Sequence, residues 1–319
     1  MFSRRSLLAW AGAAAVSPAS AEAAVPVVDL AVHLPTQVLR HHRGIALGSG
    51  QADAVRLRRG GAYGVVLVLE RPPEAAVSLE AGYLHVFRAL ARAPYLRIPG
   101  CRRPGPGIRT WLKLNSAAEL SSTKEIPLWV TRGVRMFGLS TRDGRLAGAA
   151  PAGLGLSPRG ADMVRAIHDA GAVVDVSGSS QRAIDDVLGL ASRAKAPVVA
   201  THTAAGALAE HAWNLSDTHL SAIGQSGGIV GIAFDPRMLH RGKRADLGDV
   251  VRHVRHAVGA AGVDHVGIGS GFEGGLRPPH ELLNASRYPR LVGALQRQGM
   301  PLDAVRRVLG RNALRVLCY

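Results

Sequence analysis

Residues 172–203 read AVVDVSGSSQRAIDDVLGLASRAKAPVVATHT. Ala172–Val176 and Pro197–Thr201 are short, nearly continuous apolar runs. Between them, in Ser179–Ala194, Ile184, Val187, Leu188 and Ala191 recur at the spacing of one helical face. Continuous rather than alternating apolar runs suit strands buried on both faces, which is the situation of a parallel sheet. Two parallel neighbours need a crossover, and the helix supplies it.

The same unit extends in both directions. Further strand-like runs are Val25–Leu34, Gly64–Leu69, Thr110–Leu114, Val134–Leu139, Gly228–Phe234 and Asp264–Gly269. Ser157-Pro158 starts a helix that runs to a stop at about Gly171. Leu215-Ser216-Asp217 starts another that ends near Gly227-Gly228. Asp246–Gly262 forms a third, and Pro301–Cys318 forms one or two terminal helices. Eight strands with crossover helices predict an α/β fold, a single-domain (β/α)8 TIM barrel over residues 25–319. The second and third units fit this pattern least well, and Pro99–Gly107 is a loop. A doubly wound open sheet is the competing architecture, but no Gly-rich phosphate fingerprint follows the first strand. In a barrel, chemistry gathers at the C-terminal strand ends. Those ends hold Asp29–His33, Leu69–Glu70, Leu114–Asn115, Leu139–Thr141, Asp175–Gly178, Thr201–Thr203, Phe234–Asp235 and Gly269–Glu273.

The chain has 319 residues, 47% hydrophobic and 4% aromatic, enough for a large core and too apolar for disorder. The net charge is +16, carried by scattered Arg and four Lys. No basic run is interleaved with aromatics for base stacking, so nucleic acid is not an expected partner. A basic surface would suit anionic ligands or envelope polymers. Cys101 and Cys318 are the only cysteines, which excludes a Cys-based zinc cluster. Sequence leaves open whether they pair.

Residues 1–24 have Arg4 and Arg5, an apolar stretch from Leu7 to Val16, and small residues at 19–23. This layout predicts a secretory signal of the twin-arginine type, and hence a periplasmic or extracellular protein. No apolar stretch is long enough for a permanent transmembrane anchor.

From Gly153 onward the chain resembles the renal (membrane) dipeptidase family of zinc peptidases. The resemblance rests on Gly155-Leu-Ser-Pro-Arg-Gly160, Val174-Asp-Val-Ser177, Pro197-Val-Val-Ala-Thr-His-Thr203 and Asn214-Leu-Ser-Asp217. Gly227-Gly-Ile-Val-Gly-Ile232, Val263-Asp-His-Val-Gly-Ile-Gly-Ser270 and Gly310-Arg-Asn-Ala-Leu-Arg-Val316 continue it. Upstream, Val28-Asp29, Leu34-Pro35 and Arg59-Gly-Gly61 also match. The resemblance implies a barrel in which two zinc ions, sharing a carboxylate, activate a water against a dipeptide carbonyl.

Most of the implied ligand positions are substituted here. The family's first His-x-Asp pair falls on Ala31 and His33, and its bridging Glu on Asn115. The His after Asp-Val-Ser falls on Gly178, the substrate-carboxylate Arg on Trp213, and the last Asp on Gly271. His202 is kept, and with His33 it is the candidate metal ligand, for at most one weakly held metal. Asn115, Asp175, Trp213 and Gly271 are the candidate pocket residues, with His211, Asp235 and Glu273 nearby. No catalytic residue is assigned, and Ser177 and Ser179 read as helix caps. The expectation is an exported dipeptidase-like protein without its dizinc centre. Its role would be binding or scaffolding, toward a small peptide or envelope-derived ligand. The alternative is an active metal-dependent dipeptidase with a rebuilt site.

Overall fold

The computed structural model describes residues 25–41, 50–70, 78–93, 96–97, 101, 107–141, 143–242 and 244–318. The expected signal segment and most of the Pro99–Gly107 loop lie outside them.

Eight parallel strands close on themselves. They are β1 (Val27–Val32), β2 (Ala62–Leu69), β3 (Ile108–Leu114), β4 (Val134–Gly138), β5 (Val173–Asp175), β6 (Val198–Thr203), β7 (Ile229–Ile232) and β8 (Val266–Ile268). Each pairs with the next, and Asp29 of β1 lies opposite Ile268 of β8 to complete the ring. All eight predicted strands form. Several are shorter than their apolar runs, because those runs continue into buried loops such as Ala233-Phe234.

The expected helices Pro158–Asp169, Gln181–Ala194, Asp217–Gln225 and Leu247–Ala261 are present. Each has a polar N-cap: Ser157, Ser180, Ser216 and Asp246. The second of these caps corrects an expectation. Ser180 Oγ, not Ser177 or Ser179, accepts from Ala183 N, at 3.1 Å. Helices Leu79–Arg92 and Tyr288–Arg297 were not anticipated. In the first, Leu79, Tyr83, Val86 and Leu90 stand at helical spacing, a period that the sequence reading passed over.

Strand residues alternate between two cores. One lies between barrel and helices. The other fills the barrel and includes Val28, Leu30, Val66, Trp111, Met136, Val173, Val199 and Ile229. Trp111 takes the space a side chain on the neighbouring strand would need. A Cβ on Gly64 would stand 2.5 Å from its ring. Ala313, Val316 and Leu317 of the terminal helix Asn312–Leu317 plug the lower end. Asn312 Nδ2 donates to Val263 O and Val266 O at 2.7 and 2.8 Å, and Arg315 Nη2 to Asp264 O at 2.9 Å. Gly310 lies so close to Pro26 O that a Cβ there would clash. The Gly310–Val316 motif is thus the barrel's stopper.

Cys101 and Cys318 form a disulfide, with Cα atoms 5.5 Å apart. It ties the loop before β3 to the stopper across 217 residues of sequence. Non-reducing peptide mapping should recover the Cys101–Cys318 pair. A Cys101→Ser, Cys318→Ser protein should unfold several degrees lower, since a native disulfide contributes roughly 2–4 kcal/mol. An unchanged melting temperature would show that the crosslink adds no stability.

Candidate functional site

The C-terminal strand ends surround a cavity of about 460 Å³. It is lined by His33, which follows β1, by Asn115 at the end of β3, and by Gly178 after β5. His202 of β6, the loop residue Trp213 and Ser270-Gly271 after β8 also line it, as do the charged residues Glu70, Asp235, Arg237 and Glu273. Of the sequence candidates, His33, Asn115, His202, Trp213 and Gly271 therefore meet around one space. Asp175 does not line it. It lies beneath the floor, 1% exposed.

Beneath that floor is a polar layer that the strand periodicity does not announce. Lys113, in the apolar sequence Thr-Trp-Leu-Lys-Leu of β3, is 1% exposed and ion-paired with Asp175 Oδ2. Its Nζ also donates to Thr201 Oγ1 at 2.9 Å. Asp175 Oδ1 accepts from Ser177 N, Ser177 Oγ and Thr201 N, at 3.0, 2.7 and 3.0 Å. Burial would raise the Asp175 carboxyl, but the charges of Lys113 and His202 and these hydrogen bonds hold it well below the usual carboxylate range. Lys113 was missed in the sequence. The available signal was one lysine inside an otherwise apolar strand.

Thr201 fixes the tautomer of His202. Its Oγ1 lies 2.8 Å from Asp175 Oδ2, 2.9 Å from Lys113 Nζ and 3.1 Å from His202 Nδ1. An ionised carboxylate only accepts and an ammonium only donates, so the hydroxyl hydrogen goes to Asp175. His202 Nδ1 must then donate to the remaining lone pair, which leaves Nε2 as an acceptor. The His33 and His202 rings stand edge to face, centroids 6.0 Å apart, and Trp213 packs on His202 at the same separation. Burial lowers His33 to about 3 and His202 to about 4, helped in each case by the charge of Lys113. Both imidazoles are neutral at physiological pH.

Asp29, Glu273 and Asp235 are engaged locally, whereas Glu70 faces the cavity. Asp29 accepts from Ala31 N, Ser270 N and Tyr288 Oη at 3.1, 2.9 and 2.6 Å, fastening β1 to the end of β8. Glu273 Oε1 accepts from the amides of Gln51 and Ala52, the latter at 2.9 Å. Asp235 caps helix Pro236–Leu239 and pairs with Arg237. Burial would raise its carboxyl, but the Arg237 hydrogen bonds and charge outweigh this and lower it. His211 Nδ1 accepts from Trp213 N at 3.2 Å. Glu70 lies 3.9 Å from His33 Nδ1 and is 38% exposed. Among the described residues, no group of three or more His, Cys, Asp or Glu is arranged to hold a metal ion.

Two strand-end glycines are set by the backbone. Gly178 and Gly271 both have φ +73°, which disfavours any side chain. A Cβ on Gly271 would also stand 2.7 Å from Leu276 Cδ2. Thr36, 5% exposed, lines the cavity, and its Oγ1 has no hydrogen-bond partner among the described residues.

Known proteins resemble this chain at both levels. A family model described as membrane dipeptidase (peptidase family M19) matches residues 103–318. Dipeptidase tcpJ of Claviceps purpurea is 37% identical over 169 residues, 53% of this chain and 39% of that protein. An uncharacterized Klebsiella pneumoniae protein from the pqqA 5' region is 36% identical over 179 residues, 55% of this chain and 65% of that one. The matched stretches thus span less than two thirds of either relative. In fold, the chain is similar to a Rhodobacter sphaeroides metallopeptidase, whose structure holds a phosphinate mimic of the dipeptide L-Ala-D-Ala. The TM-score is 0.81 at 23% identity, covering 92% of this chain and 98% of that one.

The neutral histidines set an acid limit on stability. Below the ordinary histidine value of 6.5, the unfolded chain takes up protons that the folded chain refuses. Stability is therefore lost as pH falls from 6.5 toward about 4, by about 3 kcal/mol for His202. Asp175 acts in a lower window. Its depressed carboxyl removes stability only below its ordinary 3.8. His202→Gln should flatten the melting-temperature profile between pH 6.5 and 4. A profile parallel to wild type would show that His202 protonates freely in the folded protein.

Proposed function

This chain belongs to the membrane dipeptidase family, and from that premise we propose that it is an exported binding protein. In this reading the barrel has given up the two-zinc centre and keeps its mouth as a receptor for a small peptide or envelope-derived fragment. One observation carries the reading. Of the acidic residues around the mouth, Asp29, Asp175, Asp235 and Glu273 are engaged by internal donors, which leaves Glu70, 3.9 Å from His33 Nδ1, as a lone carboxylate beside two neutral histidines.

Two adjacent zinc ions repel each other and need anionic ligands, including a bridging carboxylate with two oxygens to share. The described residues do not fit that demand. Asn115 stands where the resemblance places the bridge, and an amide carries no charge. Ala31, Gly178 and Gly271 offer no donor atoms. His33 and His202 can contribute lone pairs but no charge, and Glu70 beside His33 is a single carboxylate where a pair of ions needs several.

What remains suits a neutral or zwitterionic ligand of dipeptide size. The cavity volume lies in the range of small-molecule sites. Trp213, 40% exposed, offers an aromatic wall, and His202 Nε2 an acceptor. Peptides are the favoured class because the Claviceps relative is named a dipeptidase and the Rhodobacter structure holds a dipeptide mimic. The disulfide supports export, since such crosslinks persist in oxidising compartments. No helix among the described residues is long and apolar enough to cross a membrane.

The test is metal analysis and hydrolysis on the same preparation. After exposure to excess zinc and gel filtration, the protein should carry far less than one zinc per chain. It should leave Ala- and Gly-containing dipeptides intact. Calorimetric titration with such dipeptides should show binding that Trp213→Ala weakens by roughly tenfold, the loss expected for an aromatic contact worth about 1.4 kcal/mol. Near-stoichiometric zinc with chelator-sensitive hydrolysis would instead establish a working metallopeptidase.

A further inference from the structure

Lys113 is the one buried lysine among the described residues, and the barrel gives it a setting that packing alone does not call for. The interior positions around it hold apolar side chains: Trp111 on the same strand, Val66 and Met136 on its neighbours, and Val173 and Val199 further round. An ammonium there must be matched by a negative charge or it destabilises the fold. Asp175 supplies that charge by direct contact, and Thr201 Oγ1 supplies a second acceptor at 2.9 Å.

These groups form one connected chain. Lys113 contacts Asp175 and Thr201; Thr201 holds His202; Ser177 Oγ, bound to Asp175, accepts from His202 N at 3.2 Å. The chain runs from the barrel interior to the cavity lining. It places a fixed positive charge next to the carboxylate and the imidazole that remain at these strand ends.

We propose that the Lys113 ammonium is a built-in cation that takes the electrostatic place of a divalent metal at the floor of the mouth and closes that floor to metal. The proposal rests on the reading above that this member works without zinc, and it adds the residue responsible. The ammonium occupies one of the two Asp175 oxygens and a lone pair of Thr201. It also repels any dication that would approach His202.

The test replaces Lys113 by methionine in the full chain, with cobalt(II) as the probe. Wild type should retain no cobalt after gel filtration. Lys113→Met should bind on the order of tenfold tighter or better, with the visible absorption of a low-symmetry site, an effect comparable to that of a group adjoining a metal ligand. Lys113→Met, Asp175→Asn should return to wild-type behaviour while folding normally, because both halves of the ion pair are gone. Should Lys113→Met unfold for want of a partner to Asp175, cobalt is expected to restore its thermal transition. Absence of any cobalt gain in a folded Lys113→Met protein overturns the proposal, as does failure of cobalt to rescue an unfolded one. Those results leave the metal-free reading intact. Stoichiometric cobalt in wild type overturns both.

Discussion

A lysine sealed inside a β-barrel has no water to solvate it, so a carboxylate must stand against it, and both must be fixed. Lys113 and Asp175 meet this constraint with 1% exposure each. Removing either partner alone would leave an uncompensated buried charge, an error of about 3–5 kcal/mol. The rest of the mouth is arranged by that pairing. Asp175, held in place, orders the Ser177 and Thr201 amides at the ends of β5 and β6. Thr201, with its hydrogen committed to Asp175, dictates which nitrogen of His202 carries a proton. The polar layer above and the apolar layer below meet at this pair.

Asp29 and Glu273, two other acidic residues of the mouth, act as fasteners. Asp29 joins the first strand to the last through Ser270 and to a helix through Tyr288. Glu273 clamps the amides of residues 51 and 52, and Gln37 Nε2 donates to its carbonyl at 2.8 Å. A carboxylate saturated by backbone N–H groups is a poor metal ligand, because its lone pairs are already used. The barrel therefore uses these strand-end carboxylates to close the ring.

Much of the architecture could be read directly. Continuous apolar runs such as Val198–Ala200 can only be buried on both faces, and their alternation with capped helices leaves few topologies besides a closed parallel barrel. The Ser157 and Ser216 caps were legible because N-cap chemistry is local. Helix Leu79–Arg92 was equally legible, with Leu79, Tyr83, Val86 and Leu90 at helical spacing, and was passed over. Ser177 and Ser179 were misread as caps for a different reason. Which of several nearby serines caps a helix is decided by the chain's turn at Gly178, where φ is +73°. The candidate pocket residues His33, Asn115, His202, Trp213 and Gly271 do share one cavity, since strand ends of a barrel converge by construction. Asp175 was placed in the lining but lies below it, because a neighbour with the opposite charge draws it inward.

The sequence by itself determined the ring of strands, the helices with local caps and the lack of side-chain donor atoms at residues 31, 178 and 271, since these follow from residue type and spacing. Only the tertiary structure decided that Lys113 faces Asp175 across 62 residues and that Cys101 reaches Cys318. Each is a meeting of side chains from distant strands or loops. Such meetings depend on register around the ring, and register is an outcome of the whole barrel closing, which no local pattern encodes.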